Sequence, residues 1–175
     1  MKKSIVAILL FNLSFVLAQN FRGLDKSPMD KATFPASHRI SDKIVSIAYS
    51  RPQLKGRAFE DIVPFGKIWR TGANEATELR IFKPIEIGGV EIPEGTYAIF
   101  TIFEYEKMTF VINKAKNLWG AYAYDRDKDL LRFEVTTTTV EDNLEAFSMI
   151  FSGGDTPKLH LGWDNTRAAV PFKVL

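Results

Sequence analysis

Apolar residues recur at every second position over much of the chain, the spacing of strands with one buried face. Lys43 to Arg51 sets Val45, Ile47 and Tyr49 against Ser46 and Ala48, and Thr77 to Phe82 sets Leu79 and Ile81 against Glu78 and Arg80. Ile85 to Ile87 and Val90 to Ile92 are joined by Gly88-Gly89, two residues free to adopt positive φ, which predicts a hairpin. Pro93-Glu94-Gly95 turns the chain again. Thr96 to Phe103 is apolar on both faces and predicts a central strand. Met108 to Ile112, after the charged turn Glu104 to Lys107, is its expected partner. Leu130 to Val140 reads as a long strand, with Leu131, Phe133 and Val135 opposite Arg132 and Glu134 before four threonines.

Asp142 to Phe151 fits two periods. Asp142 with Glu145 resembles a capping box and Leu144, Phe147, Ile150 and Phe151 suit a helix, whereas Phe147, Met149 and Phe151 suit a strand, the preferred reading. Gly153-Gly154-Asp155 leads into Lys158 to Trp163, and Asp164-Asn165 is expected to turn into a last strand from Arg167 to Val174. About nine strands without a long helix predict an all-β fold, an antiparallel β-sandwich with a jelly roll among its possible forms. Gly23, Pro28 and Pro35 break any period over residues 19–36, which predicts an irregular N-terminal arm before a single domain spanning residues 37–175.

The first eighteen residues change the picture by adding an address. Lys2 and Lys3 precede an uncharged apolar run from Ser4 to Leu17, too short for a spanning helix, and Val16-Leu17-Ala18 suits a signal peptidase. Cleavage is expected after Ala18, leaving an exported protein, periplasmic or secreted. It would have no stable membrane anchor, and no cysteine to make it a lipoprotein. Losing Lys2 and Lys3 lowers the 23 basic residues to 21, equal to the 21 acidic ones. A formally neutral chain lacks the positive field that nucleic acid or an anionic membrane would select, so neither is an expected partner.

Composition removes further classes. With 46% hydrophobic and 25% charged residues in 175, the chain is globular rather than disordered. The absence of cysteine excludes disulfide scaffolds, thiolate zinc sites and thiol nucleophiles, and two histidines, His38 and His160, cannot make a histidine-rich metal centre. His38 lies beside the arm and His160 on the outward side of its strand, so both read as ordinary surface histidines. Phosphate-loop, dinucleotide, zincin and nucleophile-elbow signatures are missing. Asp125-Arg126-Asp127-Lys128-Asp129 opens like a calcium loop, but Leu130 and Thr136 stand where that loop needs glycine and glutamate. The sequence implies no metal and no cofactor.

The segment from Tyr49 to Thr77 stands apart. Arg51, Lys55, Arg57, Lys67 and Arg70 share it with only Glu60, Asp61 and Glu75 as acids. Arginine presents a rigid fork of donors suited to carboxylate, phosphate or sulfate, and loops on a rigid sandwich commonly carry binding groups. Asn74 and Glu75 add an amide and an acceptor. Equally, Arg51, Arg57 and Arg70 can brace the connection by pairing with Glu60, Asp61, Glu75 and Asp129. Trp69, Trp119 and Tyr122 offer flat faces for a sugar ring or planar ligand, and Trp163 is expected in the core.

Tyr49-Ser50-Arg51-Pro52, Lys55-Gly56-Arg57, Val63-Pro64-Phe65-Gly66, Trp69 to Thr77 (WRTGANEAT), Ile92 to Tyr97 (IPEGTY), Asn113-Lys114 and Trp119-Gly120 together resemble the signature of a secreted bacterial family, domain of unknown function 2911. The resemblance runs in order from about Ser37 to Val174. It implies an exported single-domain product, mainly of Bacteroidetes-like bacteria, and no established activity to carry over. Glu60 and Glu94 depart from residues common in that family, outside the polar set.

Three functions compete at this point. A binding module would hold a small anionic or sugar-like ligand with Arg51, Lys55, Arg57, Arg70, Asn74 and Glu75, and Trp119 as a wall. A hydrolase or isomerase would use Glu75 for proton transfer and Arg70 to stabilise negative charge, with Asp129 as second acid–base group. An envelope protein would dock another protein on a sheet face or edge and use the polar segment as a brace.

Overall fold

The computed structural model describes residues 20–175; the expected signal peptide and its expected cleavage after Ala18 lie outside them. Ten strands form among the described residues: β1 (Met29–Phe34), β2 (Val45–Ser50), β3 (Thr77–Ile81), β4 (Ile85–Ile87), β5 (Val90–Ile92), β6 (Gly95–Glu104), β7 (Lys107–Asn113), β8 (Asp129–Ser152), β9 (Lys158–Pro171) and β10 (Lys173–Val174). Helical structure there is confined to two single 3₁₀ turns, Phe59–Asp61 and Arg126–Lys128. A seven-stranded antiparallel sheet runs β1-β2-β3-β6-β7-β8-β9, and a small sheet runs β10-β4-β5. Neighbours follow chain order except for the inserted β4–β5 hairpin, so the fold is a curled, sandwich-like meander without Greek-key interleaving.

The two-faced run of β6 explains the layering. Tyr97, Ile99 and Phe103 enter the main core beside Met108, Phe110 and Ile112 of β7, while Ala98 and Phe100 face the other way with Ala76 and Val111. That second face is covered by the 114–125 segment through Leu118, Ala121 and Tyr124, with Ile68. A loop that closes an apolar sheet face is held in one place, and it carries Trp119 to Tyr124 with it.

Opposite, the main core is rich in rings. Trp69 stacks on Trp163 with centroids 6.0 Å apart and 12° between planes, and both meet Phe147 edge-on. Each such pair contributes about 0.5–1.5 kcal/mol beyond area burial.

Three boundaries differ from the sequence reading. Residues 29–34 are the edge strand β1 rather than part of an irregular arm, paired in register with β2 from Met29↔Ser50 to Phe34↔Val45. Pro28 and Pro35 bracket the strand, where their missing N–H groups cost no ladder bond. The two expected strands around Val140 are one strand, β8. It pairs with β7 up to Thr136 and with β9 from Thr137, with register shifts between Thr139 and Leu144 and between Leu144 and Ser148. Bulges bend a strand, and here they carry β8 from one layer into the other. Asp164-Asn165 likewise does not end a strand: Asp164 takes φ 51° inside β9. The ambiguous 142–151 segment is strand, with Phe147, Met149 and Phe151 buried.

The returning half of β8 closes on the segment after β2. Gln53 bridges Ala146, the Leu54 N–H donates to the Glu145 carbonyl at 2.9 Å, and the Phe147 N–H to the Pro52 carbonyl at 2.9 Å.

Candidate functional site

The hallmark polar segment falls into two structural parts. The first, residues 51–57, lies along the seam with β8. Arg51 donates from Nε to the Phe147 carbonyl (3.0 Å), from Nη2 to Ser148 Oγ (2.7 Å) and from Nη1 to Asp30 Oδ2 (3.1 Å). All three of its nitrogens therefore hold β1, the seam and β8 together. Arg57 donates to the Leu54 and Gln53 carbonyls at 2.9 and 2.7 Å, closing a local turn. Lys55 is fastened by its backbone, whose N–H donates to Glu145 Oε1 at 2.8 Å, and its ammonium is exposed. These three residues brace the fold, Arg51 with Asp30 rather than with the acids of its own segment.

The second part is the excursion from Arg70 to Thr77. It leaves the sheet at Trp69, whose backbone is doubly bonded to Thr101 of β6, and is closed by the Thr77 N–H donating to the Arg70 carbonyl at 3.1 Å. Thr77 Oγ1 donates to the Thr71 carbonyl at 2.6 Å, and Thr71 Oγ1 lies 3.2 Å from Thr101 Oγ1. Thr71 is fully buried at φ 58°, an uncommon conformation for a β-branched residue that the surrounding bonds enforce. Gly72 follows because nothing larger fits: a Cβ there would lie 2.9 Å from the Ser50 carbonyl oxygen.

The excursion meets the loop that covers the outer face. Glu75 bridges Trp119, the Ala76 N–H donates to the Leu118 carbonyl at 2.9 Å, and the Gly120 N–H donates to the Asn74 carbonyl at 3.0 Å. At Gly120, φ 67°, a Cβ would stand 3.0 Å from the Tyr122 ring and 3.7 Å from Arg70 Nη1, so ring and guanidinium both rest on the bare glycine. Arg70, Asn74, Glu75 and Trp119 are thus gathered at one place, with Tyr122 joining them. Trp119 is 62% exposed and Tyr122 86%, whereas Trp69, at 5%, is a core residue and cannot wall a ligand.

Arg70 differs from the other arginines of its segment. Its guanidinium makes no ion pair and no hydrogen bond with any described residue, and Nε is sealed from solvent without an acceptor. Glu75 is exposed on the same excursion. Asn74 turns its amide to Asp25 Oδ1 at 3.1 Å; the Ser27 N–H and then that amide hold the Asp25 carboxyl below its ordinary value. No sequence signal marked Asp25, which lies before the first strand. Next to Glu75 a groove of about 130 Å³ runs between Met29, Ala48, Glu78, Asn117 and Leu118.

Asp129 does not join this site. Its Oδ1 accepts from Asn113 Nδ2 at 2.7 Å, and its Oδ2 from Tyr124 Oη at 2.6 Å and Arg132 Nε at 2.8 Å. Burial, and then the bond to Asp129, raises the Tyr124 hydroxyl above its ordinary value. Asp125 caps its own 3₁₀ turn by accepting from the Asp127 N–H and pairs with Lys128 at 3.2 Å. The 125–129 stretch thereby anchors the covering loop to β7 and β8.

Other openings suit an anion less well. A cleft of about 450 Å³ beside Phe133, Val135 and Pro171 contains Arg167, but the terminal nitrogens of that arginine donate to the Asp142, Asp164 and Thr166 carbonyls. A cleft of about 190 Å³ at Phe65 and Tyr105 is rimmed by Glu60, Glu104 and Glu106, which repel negative charge.

No curated protein and no solved structure matches the chain. The family described as Protein of unknown function (DUF2911) matches residues 27–172, a stretch that takes in β1 through β9 and both loops of the Arg70 site. The chain belongs to the DUF2911 family.

Proposed function

We propose that this protein is an exported binding module that holds a small anionic or sugar-like ligand between the Arg70–Glu75 excursion and the Trp119–Tyr122 loop. The observation that carries the reading is the guanidinium of Arg70: partly buried, free of protein acceptors among the described residues, and sharing the bare Gly120 with the exposed Tyr122 ring. Nε is sealed, so the terminal nitrogens, which no described residue accepts from, are the edge at which an anion from outside the chain can pair with the guanidinium. Arg51, Lys55 and Arg57, expected at first to share the ligand, support it from a distance by bracing the sheet. The hydrolytic reading loses the second acid–base group it required, since Asp129 is engaged by Asn113, Tyr124 and Arg132.

Thermal unfolding of the protein against a panel of sulfate, phosphate, carboxylates and sugars tests this. A ligand that binds only the folded state at a hundred times its Kd stabilises by about 2.7 kcal/mol. At least one panel member should raise Tm, and Arg70→Ala should remove that rise while remaining folded. If no member shifts Tm and Arg70→Ala melts several degrees earlier, the guanidinium is structural and the proposal fails.

A further inference from the structure

We infer that the acid-rimmed cleft at Phe65 and Tyr105 receives the N-terminal arm of a second copy of this chain. The cleft, about 190 Å³, lies between the β6–β7 turn and the loop that follows the Phe59–Asp61 turn. Backbone bonds fix both walls: the Thr137 N–H donates to the Glu106 carbonyl at 2.9 Å, and the Gly66 N–H to the Phe103 carbonyl at 2.8 Å. Buried Phe59 and Phe103 line it with their rings edge-on, centroids 5.2 Å apart, while Phe65 and Tyr105 line it and stay 41% and 86% exposed. Charge selects what can enter. Glu60, Glu104 and Glu106 line the cleft, and Lys107 offsets them only in part, being shared between Glu104 and Glu134 at 3.2 Å each. Among the described residues no three acids or histidines converge to hold a metal ion, so these carboxylates suit cationic groups carried along a chain.

The arm supplies the complement. Residues 20–26 are all exposed, and the apolar side chains among them, Phe21 and Leu24, stand at 87% and 101% exposure with nothing covering them. Arg22 and Lys26 form no ion pair with any described residue. The one acid of the stretch, Asp25, is engaged by the Ser27 N–H and by Asn74. A ring next to a free guanidinium matches a cleft of rings and carboxylates. Phe21 can pack edge-on against Phe65 or Tyr105, and Arg22 can pair with a glutamate through two parallel N–H donors or lie over the tyrosine ring. An arm exposed on its own chain leaves that chain's cleft open to the arm of a partner copy. Exchange in both directions about a twofold axis closes a dimer. Segments this short bury less than the ~1,600 Å² of a standard interface, so the dimer should be weak and should loosen with salt.

Sedimentation equilibrium of the protein without its expected signal peptide, at low and high salt, tests it. At low salt the weight-average mass should climb with concentration toward twice that of the protomer, and high salt should raise the dimer Kd about fivefold or more. Phe21→Ser, Arg22→Glu and Glu106→Arg, all at exposed positions, should each weaken association by about the same factor with Tm unchanged. Combining Arg22→Glu with Glu106→Arg should recover most of the loss, because the swapped charges attract again. A chain that stays monomeric at the highest concentration reached, or a dimer indifferent to Phe21→Ser and Arg22→Glu, would overturn the proposal. Arm variants that lower Tm without changing association would overturn it too, by placing the arm on its own chain.

Discussion

Two arginines of one segment, Arg51 and Arg70, show how little residue type decides by itself. Arg51 has all its nitrogens on protein acceptors, two of them 96 and 97 residues downstream. Removing it leaves the Phe147 carbonyl and Ser148 hydroxyl short of a donor and frees Asp30. Arg51→Ala should therefore cost about 2–4 kcal/mol, a loss of charge-assisted bonds, readable as a lower urea midpoint. Arg70→Ala removes no bond to the described residues and should change stability by less than about 1 kcal/mol while abolishing ligand binding. The reverse pattern, a stable Arg51→Ala and an unfolded Arg70→Ala, would exchange their roles. Gly72→Ala belongs at this scale too. Its Cβ would press on a backbone oxygen, so a loss of about 1–3 kcal/mol is expected, and an unchanged midpoint would show that the loop is looser than its bonds imply.

At the scale of elements, what the chain discloses locally and what it conceals separate cleanly. The β4–β5 hairpin, the two-faced β6 and its pairing with β7 are legible because a glycine pair and an apolar run act within a few residues. The edge strand β1, the continuity of β8 and the unbroken β9 are not. Each depends on its pairing with the neighbouring strand rather than on its own pattern: β2 for β1, and the register shifts between β8 and β9 for the other two. The candidate site is legible to the same degree. Arg70, Asn74, Glu75 and Trp119 announce themselves by type and spacing, but which arginine is free depends on distant carbonyls that no local pattern reveals. The β8–β9 hairpin also carries a pH effect. Ser152 Oγ lies 2.8 Å from His160 Nε2, and burial, with Lys158 adding to it, holds the imidazole below its ordinary value. The unfolded chain then binds a proton first. Stability should fall as pH drops through the ordinary histidine value near 6.5 and level off below the lowered folded value. His160→Gln should flatten that part of the stability profile; an unchanged slope would assign it to other groups.

For the whole molecule, the sheet that curls around the ring-rich core serves to hold two loops against each other on its outer face. The covering loop is fastened twice, by Leu118, Ala121 and Tyr124 on the sheet and by the Asn113–Asp129 bond at its base. Asn113→Ala should loosen both stability and site, costing about 1–3 kcal/mol and weakening the ligand without touching it. Export is the other prediction at this scale: mass spectrometry of the secreted or periplasmic protein should show a chain beginning at Gln19, and a retained leader would contradict it.

The central claim, that Arg70 is the open arginine, is tested most directly by arginine side-chain NMR. The Nε–Hε signals of Arg51, Arg57 and Arg70, assigned by single Arg→Lys variants, can be followed while sulfate, phosphate, carboxylates and sugars are titrated in turn into the protein. The account predicts a saturable shift of the Arg70 signal with those of Arg51 and Arg57 nearly still. An Arg70 signal that stays fixed with every anion tried, or moves no more than its two neighbours, would contradict it.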